Sequence, residues 1–316
     1  MRSSRLLQQL SFKTVVSVVM LGCLSILPQA LLAQEGENAV YNSSGNTTPS
    51  PDFIDASVYG GSAFNICGVL HGILASLSSA AVIDARGLPG NTGTSLTCNS
   101  TNPSPWYGIV SPPASIILLP ANTIYIPSTW IIPSNTRLIG AGDGVPLSGS
   151  VGTTIEVASS SSFSGPMLQF GSSSICPGTP AVCSGISVED LTLDGDGGTS
   201  VVGIQNQYSQ NNTFVDHVGL YQILGTGLLV ESGADGSGPY TNIRFDTGGD
   251  EATTTTECVS LNNLTSTQGV RGLSCRVPRP CRVRCDRAGA EKPARFVVAS
   301  VRPNPTFALS GFRAKA

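Results

Sequence analysis

Val188-Glu-Asp-Leu191-Thr-Leu193-Asp194, Val215-Asp-His-Val218-Gly-Leu220-Tyr221 and Tyr240-Thr-Asn-Ile243-Arg-Phe245-Asp246 superpose without a gap. In each, an apolar residue precedes two polar ones, and apolar positions then return at alternate residues. Leu191, Val218 and Ile243 lie 27 and 25 residues apart, and Leu261-Asn-Asn-Leu264-Thr-Ser266 reads as a weaker fourth copy 21 residues on. Self-similarity at this period marks a stacked repeat. A second apolar run recurs between the copies, at Val201-Val-Gly-Ile204, Gly227-Leu-Leu-Val230 and Cys258-Val-Ser-Leu261. Each repeat therefore offers at least two short strands.

The segments are too short for helices, their apolar residues alternate, and Gly, Asn, Asp and Ser fill the gaps, so the repeats read as strands. Stacking them sets like strands in parallel about 4.8 Å apart, with one shared apolar interior. Parallel crossovers are right-handed almost without exception. The expected fold is all-β, a right-handed parallel β-helix with an N-terminal capping helix.

Composition agrees with strands and turns. Only 12% of the 316 residues are charged, and the net charge is -3. That total hides two halves. From Gln34 to Cys275 four basic residues (Arg86, Arg137, Arg244, Arg271) face eighteen acidic ones, whereas 276–316 hold ten basic and two acidic. An acidic body does not attract nucleic acid.

Residues 1–33 have the layout of a secretory signal: Arg2, Arg5 and Lys13, an apolar run from Val15 to Leu27, and a small-residue end at Ala33. The run is shorter than the roughly 20 residues a membrane span needs. Residues 34–52 read as a polar linker, and 53–275 as the repeat domain. Within it, apolar residues at helical spacing from Ser62 to Ser79 predict one amphipathic helix laid over the open end of the first repeat. His71 on that helix has no partner spaced to make it catalytic. Ala81–Ala85, Ser115–Leu119, Thr123–Ile126, Trp130–Ile132 and Thr136–Ile139 are entry strands, and Gly140-Ala-Gly-Asp-Gly144 is a turn.

Eight cysteines remain beyond the signal, which fits an oxidising compartment. Cys67 with Cys98, Cys176 with Cys183 and Cys258 with Cys275 are the expected pairs. Cys281 and Cys285 are left over with no histidine nearby, so zinc is not expected. After Cys275 the strand alternation stops, and 276–316 read as a basic, unstructured tail, a shifted frame or an unrelated end.

Asp55-Ala-Ser-Val-Tyr-Gly-Gly61, Val82-Ile-Asp-Ala-Arg-Gly87, Ile117-Leu-Leu-Pro-Ala-Asn-Thr-Ile-Tyr125, Ile132-Pro-Ser-Asn-Thr-Arg-Leu-Ile-Gly-Ala-Gly142 and Val188-Glu-Asp-Leu-Thr-Leu-Asp-Gly195 together resemble the pectate lyase superfamily of secreted bacterial β-helix proteins. The likeness is to the N-terminal part of rhamnogalacturonase-like and epimerase-like chains. It implies a pectin-lyase-like solenoid and an acidic polysaccharide as partner. The polygalacturonase motifs Asn-Thr-Asp, Asp-Asp, Gly-His-Gly and Arg-Ile-Lys are not present, and neither Arg244 nor Arg271 sits in a lyase motif.

Asp194 and Asp196 are the expected catalytic pair, acid and base on a glycosidic bond or ligands holding Ca2+ against a uronate. The competing reading is a tight Asp-Gly-Asp-Gly turn in which aspartate binds its own backbone. The repeat register stacks Asp194, Tyr221 and Asp246, which gives a substrate-binding edge to which Arg244 adds a cation. Asp216 and His217 fall in line with Asp190 and Asn242 and read as a polar ladder at a corner. The expected protein is thus a secreted monomer without a membrane span. It either acts on acidic polysaccharide as a lyase or hydrolase, or is a non-catalytic carbohydrate-binding or adhesion solenoid or an inactive remnant.

Overall fold

Alternation in the sequence becomes alternation in burial along the entry strands Ala81–Asp84, Ser115–Leu118, Thr123–Ile126, Trp130–Ile132 and Thr136–Ile139, whereas Leu191–Asp194 and Val218–Tyr221 are buried at every residue. The structure is a computed structural model that describes residues 52–59, 65–88, 95–143, 152–159, 162–196, 200–246, 257–262, 269–276, 282–286 and 296–297. Of Ser232 and of residues 275–276, 282–286 and 296–297 it describes the backbone alone. The expected signal segment and all but the last residue of the expected linker lie outside the described residues. All described residues fall in one unit, 51–316.

The strands are β1 (Asp52–Asp55), β2 (Ala81–Asp84), β3 (Leu96–Thr97), β4 (Ser115–Leu118), β5 (Thr123–Ile126), β6 (Trp130–Ile132) and β7 (Thr136–Ile139). They continue as β8 (Thr154–Val157), β9 (Gly165–Phe170), β10 (Ser187–Asp194), β11 (Val201–Asn206), β12 (Phe214–Tyr221), β13 (Thr226–Val230), β14 (Tyr240–Thr241), β15 (Arg244–Asp246) and β16 (Glu257–Asn262). The last are β17 (Val270–Arg271), β18 (Ser274–Arg276), β19 (Arg282–Asp286) and β20 (Phe296–Val297). Every pairing between them is parallel.

They form a 14-stranded and a 6-stranded sheet. The larger one is strongly curled, because β10 and β12 each serve two faces. The first half of β10 pairs with β7 and its second half with β8, with Asp190 between them. The first half of β12 pairs with β14 and its second half with β15. The smaller sheet runs β19-β16-β13-β11-β9-β6 and contains the second recurring run as β11, β13 and β16. This is an all-β arrangement of parallel sheets, consistent with a parallel solenoid.

The interior is built of rows with one residue from each repeat. Ile83, Ile117, Leu138, Val188, Val215, Tyr240 and Val270 form one such row in strand register, and all are buried. Leu191, Val218 and Ile243 are fully buried, as the repeat requires. Burying side chains of this size contributes roughly 1.5–3 kcal/mol each. Tyr240 is the one polar-tipped member of its row, and its hydroxyl is satisfied by Asn206 Nδ2 at 2.9 Å and Ser237 Oγ at 2.7 Å. Asn206, buried at the end of β11, also accepts from the Ser209 amide and donates to the Ser209 carbonyl.

The corner between the faces needs a backbone that bends. Asp190, His217 and Asn242 have φ of 53°, 51° and 54°, and the equivalent Gly272 has 64°. These are left-handed conformations, which Asn, Asp, His and Gly tolerate best. The polar ladder expected from Asp190, His217 and Asn242 is therefore a row of conformational specialists.

The single α-helix among the described residues, α1 (Ile66–Ser76), is shorter than the expected 62–79 span. Asn65 caps it, accepting from the Gly68 amide at 3.0 Å, and its apolar face (Ile66, Val69, Leu70, Ile73, Leu74) joins the core. Disulfides Cys67–Cys98 and Cys176–Cys183 form as expected. Cys258 is disulfide-bonded too, while the side chain of Cys275, its expected partner, lies outside the described residues.

Two expectations are corrected. The fourth in-register copy is not the Leu261–Ser266 segment: Leu261 belongs to β16, and Val270 and Arg271 pair with Tyr240 and Thr241. The amide of Ser274 donates to the Ile243 carbonyl, so the copy is Val270-Arg-Gly-Leu273-Ser-Cys. Its weak alternation, interrupted by Gly272 at the corner, hid it. Strand pairing also does not stop at Cys275, since β19 pairs with β16 and β20 with β17.

Candidate functional site

The outer face of the second halves of β10 and β12 gathers the expected residues into one row. Asp194 is opposite Tyr221, and Tyr221 opposite Asp246, as the repeat register requires. On the other side the row runs on through Glu156 and Tyr125. The order is Tyr125, Glu156, Asp194, Tyr221, Asp246, one residue from each of five adjacent strands. Each follows an inward apolar residue of the adjoining row: Ile124, Ile155, Leu193, Leu220 and Phe245, all buried.

Glu156 was missed by the sequence reading. The signal for it is the triplet Thr154-Ile-Glu156, which repeats Thr192-Leu-Asp194 and Thr123-Ile-Tyr125. It was obscured because β8 is only four residues long and stands between segments rich in Ser, Gly and Thr.

Burial divides the row. Asp194 is only 6% exposed, and Tyr221 only 4%. Tyr221 is therefore not the open aromatic platform expected of it, because its side chain is almost wholly removed from solvent. Glu156 and Asp246 are half-buried, and Asp196 is exposed. The Asp194 carboxylate accepts the Asp196 amide at 3.0 Å, and Asp196 adopts a left-handed φ of 47°. The tight-turn reading of Asp-Gly-Asp is thus present in the fold. The same turn presents Asp196 beside Glu156.

Electrostatics set these carboxyls apart. Burial, reinforced by the charges of Asp194 and Asp196, pushes Glu156 up to about 7. Burial also pushes Asp194 up to about 6; the Asp196 amide works against this and the Asp196 charge adds to it. Removing a carboxylate from water and placing it beside another favours the protonated form. Perturbed pairs of this kind are what acid–base chemistry near neutral pH requires.

Arg244 lies on the same face, two residues before Asp246, with Nη1 3.5 Å from an Asp143 carboxylate oxygen. Asp216 and His217 form a separate pair at the corner, His217 Nδ1 being 3.0 Å from Asp216 Oδ2. Burial raises Asp216, yet hydrogen bonds from Thr241 and Asn242 and the adjacent His217 together hold it below its ordinary value. Among the described residues no group of three or more His, Cys, Asp or Glu side chains is arranged to hold a metal ion. Glu156, Asp194 and Asp196 do not form such a group.

Comparison of the chain with protein-family models, with curated proteins and with solved structures finds no match. No helix among the described residues is long and apolar enough to cross a membrane. The two disulfides fit an extracellular or periplasmic protein.

Proposed function

We propose that this chain is a secreted right-handed parallel β-helix protein of the pectate lyase kind, acting on acidic polysaccharide by glycoside-hydrolase-type acid–base chemistry. The observation that supports it is the outer row in which Glu156, at about 7, neighbours Asp194, at about 6. Glu156 is the proton donor to the leaving glycosidic oxygen, since it is half-buried, reachable and still protonated near neutral pH. Asp196, exposed at the turn, is the base that activates water. Asp194 is too buried to touch substrate and acts as a positioning residue. It holds the turn that carries Asp196, and its charge raises Glu156.

A row of carboxyls repels a polyuronate, and protonation relieves part of that repulsion. Activity is therefore expected on the mildly acidic side, with the alkaline limb set by Glu156 near 7. Incubating the mature protein with polygalacturonate tests the reading. New reducing ends without unsaturated product absorbing in the ultraviolet are expected, and Glu156→Gln abolishes them. Unsaturated product would mean a lyase. Binding without turnover would support the second reading, a carbohydrate-binding or adhesion solenoid, which the near-complete burial of Asp194 and Tyr221 favours.

A further inference from the structure

Arg244 is placed unusually for a strand residue on an outer face. Its partners in strand register are Gly219 on β12 and, one strand further, Thr192 on β10. A Cβ on Gly219 would sit 3.5 Å from Arg244 Nη2 and 2.8 Å from Thr192 Oγ1. The missing side chain at 219 opens the path along which the guanidinium lies. At its end the only partner among the described residues is Asp143, with Nη1 3.5 Å from Oδ2 and Nη2 3.5 Å from the Asp143 carbonyl oxygen.

Both contacts are longer than the 2.7–2.9 Å typical of a charge-assisted hydrogen bond, and the two side chains are 32% and 43% exposed. An ion pair of that kind is weak and readily exchanged. A guanidinium fork matches a carboxylate through two parallel hydrogen bonds, a geometry that Asp143 does not supply. Two residues further along the same three strands stand Asp194, Tyr221 and Asp246. A cation fixed beside an acid row is where a charged sugar next to the reacting bond would be recognised.

We propose that Arg244 is the seat for a carboxylate on the sugar, and that Asp143 occupies this seat in the free protein as an internal competitor. The inference rests on the acidic-polysaccharide reading above and adds to it the group that selects the charged sugar. Gly219 leaves room for this seat: a Cβ there would crowd Thr192 Oγ1 at 2.8 Å and touch Arg244 Nη2 at 3.5 Å, so a side chain longer than alanine's would compete for the space the guanidinium occupies.

Calorimetric titration of the mature protein with trigalacturonate, and with its neutral galactose counterpart, tests this. Trigalacturonate is expected to bind, and the neutral sugar to bind at least about tenfold more weakly, as expected where a charge pair supplies the selection. Asp143→Asn is expected to tighten trigalacturonate by about fivefold by removing the competitor, and Arg244→Gln to weaken it by about tenfold or more. Near-UV circular dichroism establishes that each variant is folded, and Arg244→Lys, folded and charged but without the fork, is expected to recover only part of the affinity. Unchanged affinity in Arg244→Gln, or no tightening in Asp143→Asn, overturns the proposal even if polygalacturonate is cleaved, and the hydrolytic reading then survives. The expected order of affinities without any cleavage overturns the hydrolytic reading and leaves this one intact. Absence of saccharide binding overturns both.

Discussion

Replacing Asp194 by Asn separates the electrostatic role of this residue from its structural one. Asn keeps an oxygen that can accept the Asp196 amide, so the turn is retained and only the charge is lost. The folded-state value lies above the ordinary 3.8, at about 6. The stability linked to the protonated form is therefore fully present below pH 3.8 and is lost as pH rises through about 6. The interval between the two values corresponds to about 3 kcal/mol of penalty on ionisation. Asp194→Asn is thus expected to be more stable than the wild type at pH 8 by up to about 3 kcal/mol, which for a domain of this size is roughly 6–12 °C in Tm. At pH 4 the difference should shrink to about 0.5 kcal/mol. Scanning calorimetry of both proteins between pH 4 and 8, with disulfides intact, provides the measurement. A Tm difference that does not change with pH would refute the argument. Losing the same charge should also lower Glu156 and shift the alkaline limb of the activity profile downward, an effect that a purely structural role would not produce.

Two further outcomes follow from the packing. Leu191→Ala removes a fully buried rung between two neighbouring repeats and is expected to cost about 2–5 kcal/mol in chemical denaturation. Tyr240→Phe leaves Asn206 and Ser237 with a lost partner inside the core. It is expected to destabilise by about 1–3 kcal/mol although no carbon is removed, and equal stability would show that the buried network is dispensable.

The sequence reveals rows better than it reveals surroundings. Leu191, Val218 and Ile243 are legible because an inward rung must be apolar in every repeat, and a shift of one residue would turn the whole set to water. Asp194, Tyr221 and Asp246 are legible as a row for the same reason. Their exposure is not, because periodicity tells which side of the strand a residue faces and nothing of what packs against that side. Arg244 meets a residue 101 positions away, across a glycine that no periodicity singles out. Glu156 escaped notice because a four-residue strand carries too little alternation to stand out among Ser and Gly. β19 went unseen for a different cause: Arg282-Val-Arg-Cys-Asp286 does alternate, but two apolar residues among basic neighbours are too short a pattern to stand out until β16 provides a strand to pair with.

The same logic decides between the two titratable clusters. A histidine 3.0 Å from an aspartate would invite a catalytic reading in an ordinary domain. Here residue 217 has equivalents, namely Asp190, Asn242 and Gly272, and all share a left-handed backbone. That conformation restricts the choice of residue, so His217 is accounted for by geometry before chemistry enters. Asp216 is accounted for by the hydrogen bonds it accepts from Thr241 and Asn242 in the next repeat. At the outer row the backbone is ordinary extended strand, and it imposes no residue type on Tyr125, Glu156, Asp194, Tyr221 or Asp246. Two carboxyls stand adjacent there, one of them nearly buried, although that arrangement penalises the fold above pH 6. Asp194 has a folding role in the turn it closes on the Asp196 amide, but among the described residues no such bond accounts for Glu156, and on that ground the proposed acid–base chemistry is assigned to the outer row and not to the corner.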